Sequence, residues 1–89
     1  MILHTVNKPS ALSLCLPLLA NDDIVLLIED GIYALAENTQ PLQELNCHVL
    51  KSDIYSRGME ERIPDWAIEL DARGFVELVT QCDKVQSWF

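Results

Sequence analysis

The chain predicts a small α/β domain with a mostly parallel sheet of four to five strands held between helices in three layers. Three observations carry that expectation. Ile24-Val25-Leu26-Leu27-Ile28 is an unbroken apolar run with three β-branched residues. It does not alternate as a strand with one wet face would, so it reads as a strand covered on both sides. Strand-like and helix-like stretches then alternate along the chain, which gives right-handed crossovers and a parallel sheet. Finally, the run ends at Asp30-Gly31, and open α/β sheets place their sites at the carboxyl ends of such strands. The topology expected is flavodoxin- or Rossmann-like.

In order, Ile2–Val6 reads as the first strand and Asn7–Ser10 as a loop, with Ser10 as helix cap. Ala11 to about Leu19 follows as a helix, with Leu12, Cys15, Leu16 and Leu19 on one face. Pro17 removes a donor and clashes with the Ser13 carbonyl, so a kink or late restart is expected there. Asn21-Asp22 turns the chain into the second strand, Asp23–Ile28. Asp30 is expected to cap a short helix from Gly31 to about Ala36, with Gly31 allowing the sharp turn. Asn38-Thr39-Gln40-Pro41 interrupts it, and Leu42–Leu45 adds a turn.

Cys47–Leu50 is a third strand. Ser52 or Asp53 caps a helix ending at Gly58, which suits a left-handed residue after Arg57. Glu60–Pro64 is an acidic irregular loop, and Trp66–Leu70 a fourth strand. Asp71 caps the last helix, about Ala72 to Cys82. The tail, Lys84–Phe89, offers an edge strand. The 89 residues make a single domain, 1–89, and a chain this short buries only roughly 60–65% of its surface. Yet 49% of its residues are hydrophobic, enough to fill a tight core or to cover a permanent subunit interface.

Net charge is −8 with six basic residues. Nucleic-acid binding relies on Lys and Arg to neutralise phosphates, so direct binding is not expected; the acidic surface suits solubility or a basic partner. Three cysteines in irregular spacing argue against a disulfide framework. No Cys-x-x-Cys supports zinc or thioredoxin chemistry, and no glycine-rich loop supports nucleotide binding. No cofactor or metal is therefore expected. No signal-peptide pattern or bilayer-length apolar run is present, so the expected location is the cytoplasm.

Four segments carry a family resemblance. They are Met1-Ile2-Leu3-His4-Thr5-Val6-Asn7-Lys8, then Ile28-Glu29-Asp30-Gly31-Ile32-Tyr33-Ala34, then Leu50-Lys51-Ser52-Asp53-Ile54-Tyr55-Ser56-Arg57-Gly58, then Phe75 to Phe89. In this order, over nearly the whole chain, they resemble the TusB/DsrH family of sulfur-relay subunits. The resemblance implies a DsrEFH-like fold and sister subunits of the TusC/TusD or DsrE/DsrF type, assembled as a dimer of heterotrimers. It implies persulfide sulfur moving toward 2-thiolation of the wobble uridine in certain tRNAs, or, in the Dsr form, a role in sulfur oxidation. In the sister subunits the sulfur-accepting cysteine shortly precedes the Arg-Gly segment. Registered on Arg57-Gly58, that position falls near Leu50, where this chain has no thiol. The resemblance thus implies a structural or regulatory subunit rather than the principal acceptor or an enzyme by itself.

Cys15 is the candidate persulfide thiol, since it matches a first-helix cysteine of some DsrH proteins. A relay thiol needs exposure and thiolate character, whereas Leu14 and Leu16 supply neither cation nor base. Core packing is the competing reading. Cys47 reads as a core residue. Cys82, with Asp83, lies at a helix carboxyl end that disfavours a thiolate. His4 and His48 read as hydrogen-bonded strand residues without metal spacing, and Cys47 and His48 must face opposite ways. Glu29 and Asp30 are adjacent carboxylates, not the opposed pair of a glycosidase. Trp66 opens a strand. Asp30, Gly31, Tyr33, Trp88 and Phe89 are the candidate interface residues. The alternatives are a free-standing DsrH-type carrier using Cys15, and a homo-oligomeric module without sulfur chemistry.

Overall fold

The computed structural model describes residues 1–37 and 40–89. Five strands form one all-parallel sheet: β1 Ile2–Val6, β2 Ile24–Leu27, β3 Asn46–Leu50, β4 Ile68–Leu70 and β5 Lys84–Trp88, in the order β4-β3-β2-β1-β5. The tail is therefore a full strand, with Ile2 to Val6 of β1 in register with Lys84 to Trp88. On its other side β1 pairs Leu3 to Val6 with Ile24 to Leu27 of β2. That central position explains why β2 reads as a continuous apolar run, and all four of its residues are buried.

Helices cover both faces. On the first, α1 (Pro9–Cys15), a 3₁₀ segment (Glu29–Ala36), α2 (Gln40–Gln43) and α3 (Lys51–Ser56) pack over Val6, Val25, Leu27, Cys47 and Val49. On the second, among the described residues, α4 (Ala72–Gln81) alone packs Leu78, Phe75 and neighbouring Cys82 over Leu3, Ile24 and Leu26.

Several local expectations change. Lys8, not Ser10, stands at the N-cap of α1 without a side-chain bond, and Pro9 opens the helix, where its missing N–H has no intrahelical partner to lose. The α-helix stops at Cys15, and Leu16–Leu18 continue as one 3₁₀ turn around Pro17, because proline cannot supply the next α-type donor. Asp30 lies inside its 3₁₀ segment rather than capping it. Ser52 and Asp53 lie inside α3, whose N-cap position is Leu50. Glu60–Arg62 forms a 3₁₀ turn within the expected irregular loop, and Trp66 precedes β4. Asp71 does cap α4, accepting from the Gly74 N–H at 2.7 Å, and Gly58 has φ +63°. Of the expected interruption before Leu42, Asn38 and Thr39 lie outside the described residues.

Candidate functional site

The chain leaves β3 toward α3 on the first face and leaves β4, its neighbour, toward α4 on the second. Adjacent strands whose connections part in this way open a crevice at their carboxyl ends. A cavity of about 460 Å³ lies there, lined by Lys51, Tyr55, Glu69, Leu70, Asp71 and Gly74. Lys51 Nζ stands 5.9 Å from the centre of the Tyr55 ring. Leu50 ends β3 beside this crevice. Sequence reasoning missed Tyr55 and Glu69 as lining residues. Element order alone held the signal, because it fixes where successive crossovers change face.

The tip after β2 is a second built feature. Glu29 adopts φ +48°, an uncommon conformation for a residue with a side chain. Its N–H donates to Asp53 Oδ2 at 2.7 Å. Arg57 Nε donates to Asp30 Oδ1 at 3.1 Å, and Arg57 Nη1 to Asp53 Oδ1 at 3.4 Å. Gly31 is buried under the end of β1, where a Cβ would collide with the Val6 carbonyl oxygen. The Asp-Gly and Arg-Gly segments, far apart in sequence, are thus one bonded unit. Tyr33 projects beside it, partly exposed.

The three cysteines are free. Cys15 is fully buried in the first-face core. Burial, and then the charge of Asp23, push its thiol up to about 11. Burial pushes Cys47 up to about 12. Cys82 is also raised, chiefly by burial and further by Asp83 and Asp23, against the pull of the amino terminus.

His4 lies buried at the centre of a polar chain. Its Nε2 bonds Asp23 Oδ2 at 2.9 Å, and its Nδ1 accepts from Trp88 Nε1 at 3.0 Å. Asp23 also accepts from the N–H groups of Ile2, at 2.9 Å, and Ala20, at 3.1 Å. Burial works to raise the Asp23 carboxyl, but these bonds outweigh it and hold it at about 2. Trp88 thereby docks inside its own domain, while Phe89 is 76% exposed. His48 points away from Cys47, onto the second face, with Nδ1 buried and unpartnered. Burial lowers its affinity for a proton.

Residues 6–85 match the family described as DsrH like protein. The chain belongs to that family. Protein TusB of Erwinia tasmaniensis is 34% identical over 82 aligned positions, covering 86% of each chain. Protein TusB of Escherichia coli O81 is 28% identical over 95 positions, covering 98% of this chain and all of the relative. Protein TusB of Yersinia enterocolitica is 29% identical over 82 positions, again covering 86% of each. Within this DsrH-like fold, two of the four family-like segments meet at the β2 tip, and the other two lie side by side as β1 and β5. The candidate site residues do not converge. Cys15 is in the core, Asp30 and Gly31 belong to the tip, and Trp88 is bonded to His4. Among the described residues no cluster of metal-ligating side chains occurs, and no helix is long and apolar enough to cross a membrane.

Proposed function

We propose that this chain is a structural subunit of a Tus-type sulfur-relay complex, with sister subunits of the TusC/TusD type carrying the sulfur on its way to tRNA 2-thiolation. The observation that supports this most is the crevice between β3 and β4. It keeps the shape of an α/β site, yet the family resemblance puts the acceptor position near Leu50, and Leu50 to Asp53 include no thiol. The surroundings of Cys15 support the same reading. Transfer needs a thiolate that can reach the outer sulfur of a donor persulfide, and burial holds Cys15 as a covered, protonated thiol. Its role is packing at the end of α1 against the first-face core.

The test is intact-mass analysis after co-expression with the sister subunits and exposure to a persulfide donor, with Cys15→Ala in parallel. Co-purification with added sulfur on a sister subunit alone is the expected result. A Cys15-dependent gain of one sulfur atom, ~32 Da, on this chain would instead make it a carrier. Failure to associate with the sister subunits, together with stable self-association, would favour a homo-oligomeric module.

A further inference from the structure

The Asp23–His4–Trp88 chain holds two demands that conflict once a proton arrives. An indole nitrogen only donates, so Trp88 requires a bare Nδ1 on His4 and fixes the neutral tautomer with its proton on Nε2. That Nε2 proton serves Asp23. A second proton on the ring would improve the ion pair with Asp23 and place two N–H groups against each other across 3.0 Å.

We propose that the His4–Trp88 contact is a proton-sensitive latch: a proton on His4 Nδ1 expels the Trp88 indole and frees the carboxyl end of β5. Both ring partners are in place. His4 is only 3% exposed, and the indole stacks on it with ring centres 6.2 Å apart. The opposing carboxylate stays charged across the physiological range, since Asp23 is held at about 2. The other ionisable groups near the pair are the Cys15 thiol, on which the Asp23 charge acts, the Cys82 thiol across the sheet, which also feels Asp23, and Lys84, which lies opposite Ile2 two pairs along the β1–β5 ladder. Beyond them the amino-terminal ammonium is bound to Asp83 and Asp22. The release is local. Thr5 Oγ1 still donates to Ser87 Oγ at 3.2 Å, and the β1–β5 ladder remains. What opens is the packing of Trp88 against the first-face core.

The test uses the whole, ¹⁵N-labelled wild-type chain. The ring-nitrogen resonances of His4 and the indole N–H of Trp88 are followed from pH 8 to 5. The expected result is loss of the bonded indole resonance in step with protonation of His4 Nδ1. Indole exchange with solvent should quicken roughly tenfold, the equivalent of one hydrogen bond, while Trp66 serves as the internal control. Two results overturn the latch: Nδ1 remaining bare throughout, or Nδ1 gaining a proton while the Trp88 indole stays bonded.

Discussion

The two faces of the sheet are built to different standards. Among the described residues, fourteen buried ones form the first-face core, from α1, the Glu29–Ala36 segment, α2, α3 and the strands, whereas four form the second. On the second, α4 works alone. Ile68 on β4 is 52% exposed and Val85 on β5 43% exposed, with Val76 on α4 at 63%. The first-face core is the larger one; the second is a sheet with one helix across it. The difference follows from topology. Three successive crossovers leave toward the same side, and only the last, from β4 over to β5, goes to the other.

The sharpest way to break the first face is at its seam. Gly31→Val would drive a side chain into the Val6 carbonyl. Because the obstacle is backbone and cannot rotate away, a loss of at least about 3 kcal/mol is expected in urea unfolding, at the upper end for overpacking. Leu27→Ala, in the fully buried part of the same core, should cost about 3–4 kcal/mol. Leu78→Ala, the α4 residue that is itself buried on the second face, should cost less, about 2 kcal/mol. Equal losses would show that the two faces carry equal weight.

The framework of the fold is readable where it rests on local patterns. The β2 run, the Asp71 cap and the left-handed Gly58 each declare themselves within a few residues. The β2 tip was not readable in the same way. Asp53 and Asp30 looked like helix caps, since that is what an isolated acid before a helix does. In the fold both turn to a partner 24 or 27 residues distant, and sequence spacing carries no sign of it. Trp88 has a partner that sequence spacing also conceals. A half-buried aromatic looks like surface until the strand beneath it is placed, and only the β1–β5 pairing brings His4 under its indole. The crevice between β3 and β4 needed the strand order.

Between the Leu27 and Leu78 truncations in size is Asp23→Asn, which should cost about 2–3 kcal/mol at neutral pH, because a charged acceptor of three hydrogen bonds is lost from a buried site. The sign of its pH dependence is fixed. The folded carboxyl lies at about 2, below the usual 3.8, so its stabilisation is complete above about pH 5 and is lost as pH falls toward 2. Acid unfolding of the wild type should steepen there, and the variant should lack that contribution. Asp53→Ala should cost about 1–1.5 kcal/mol, because the Glu29 N–H at φ +48° loses its acceptor. Arg57→Ala should cost less than Asp53→Ala. Its ion pairs are with Asp30, whose side chain is 66% exposed, and at 3.4 Å with Asp53, and exposed pairs contribute little.

The smallest effect tests the second face most directly. Val76→Lys places a charge on the outer side of α4, where the valine is already largely in water. Helix propensity favours lysine slightly over valine, and little buried apolar area is lost. The stability of the isolated chain should therefore shift by no more than about 0.5 kcal/mol, measured by thermal unfolding against the wild type. A loss several times larger would mean that Val76 is covered when the chain is alone. In that case the second face is closed by self-association, and its thin core is an incomplete account of how the sheet is protected.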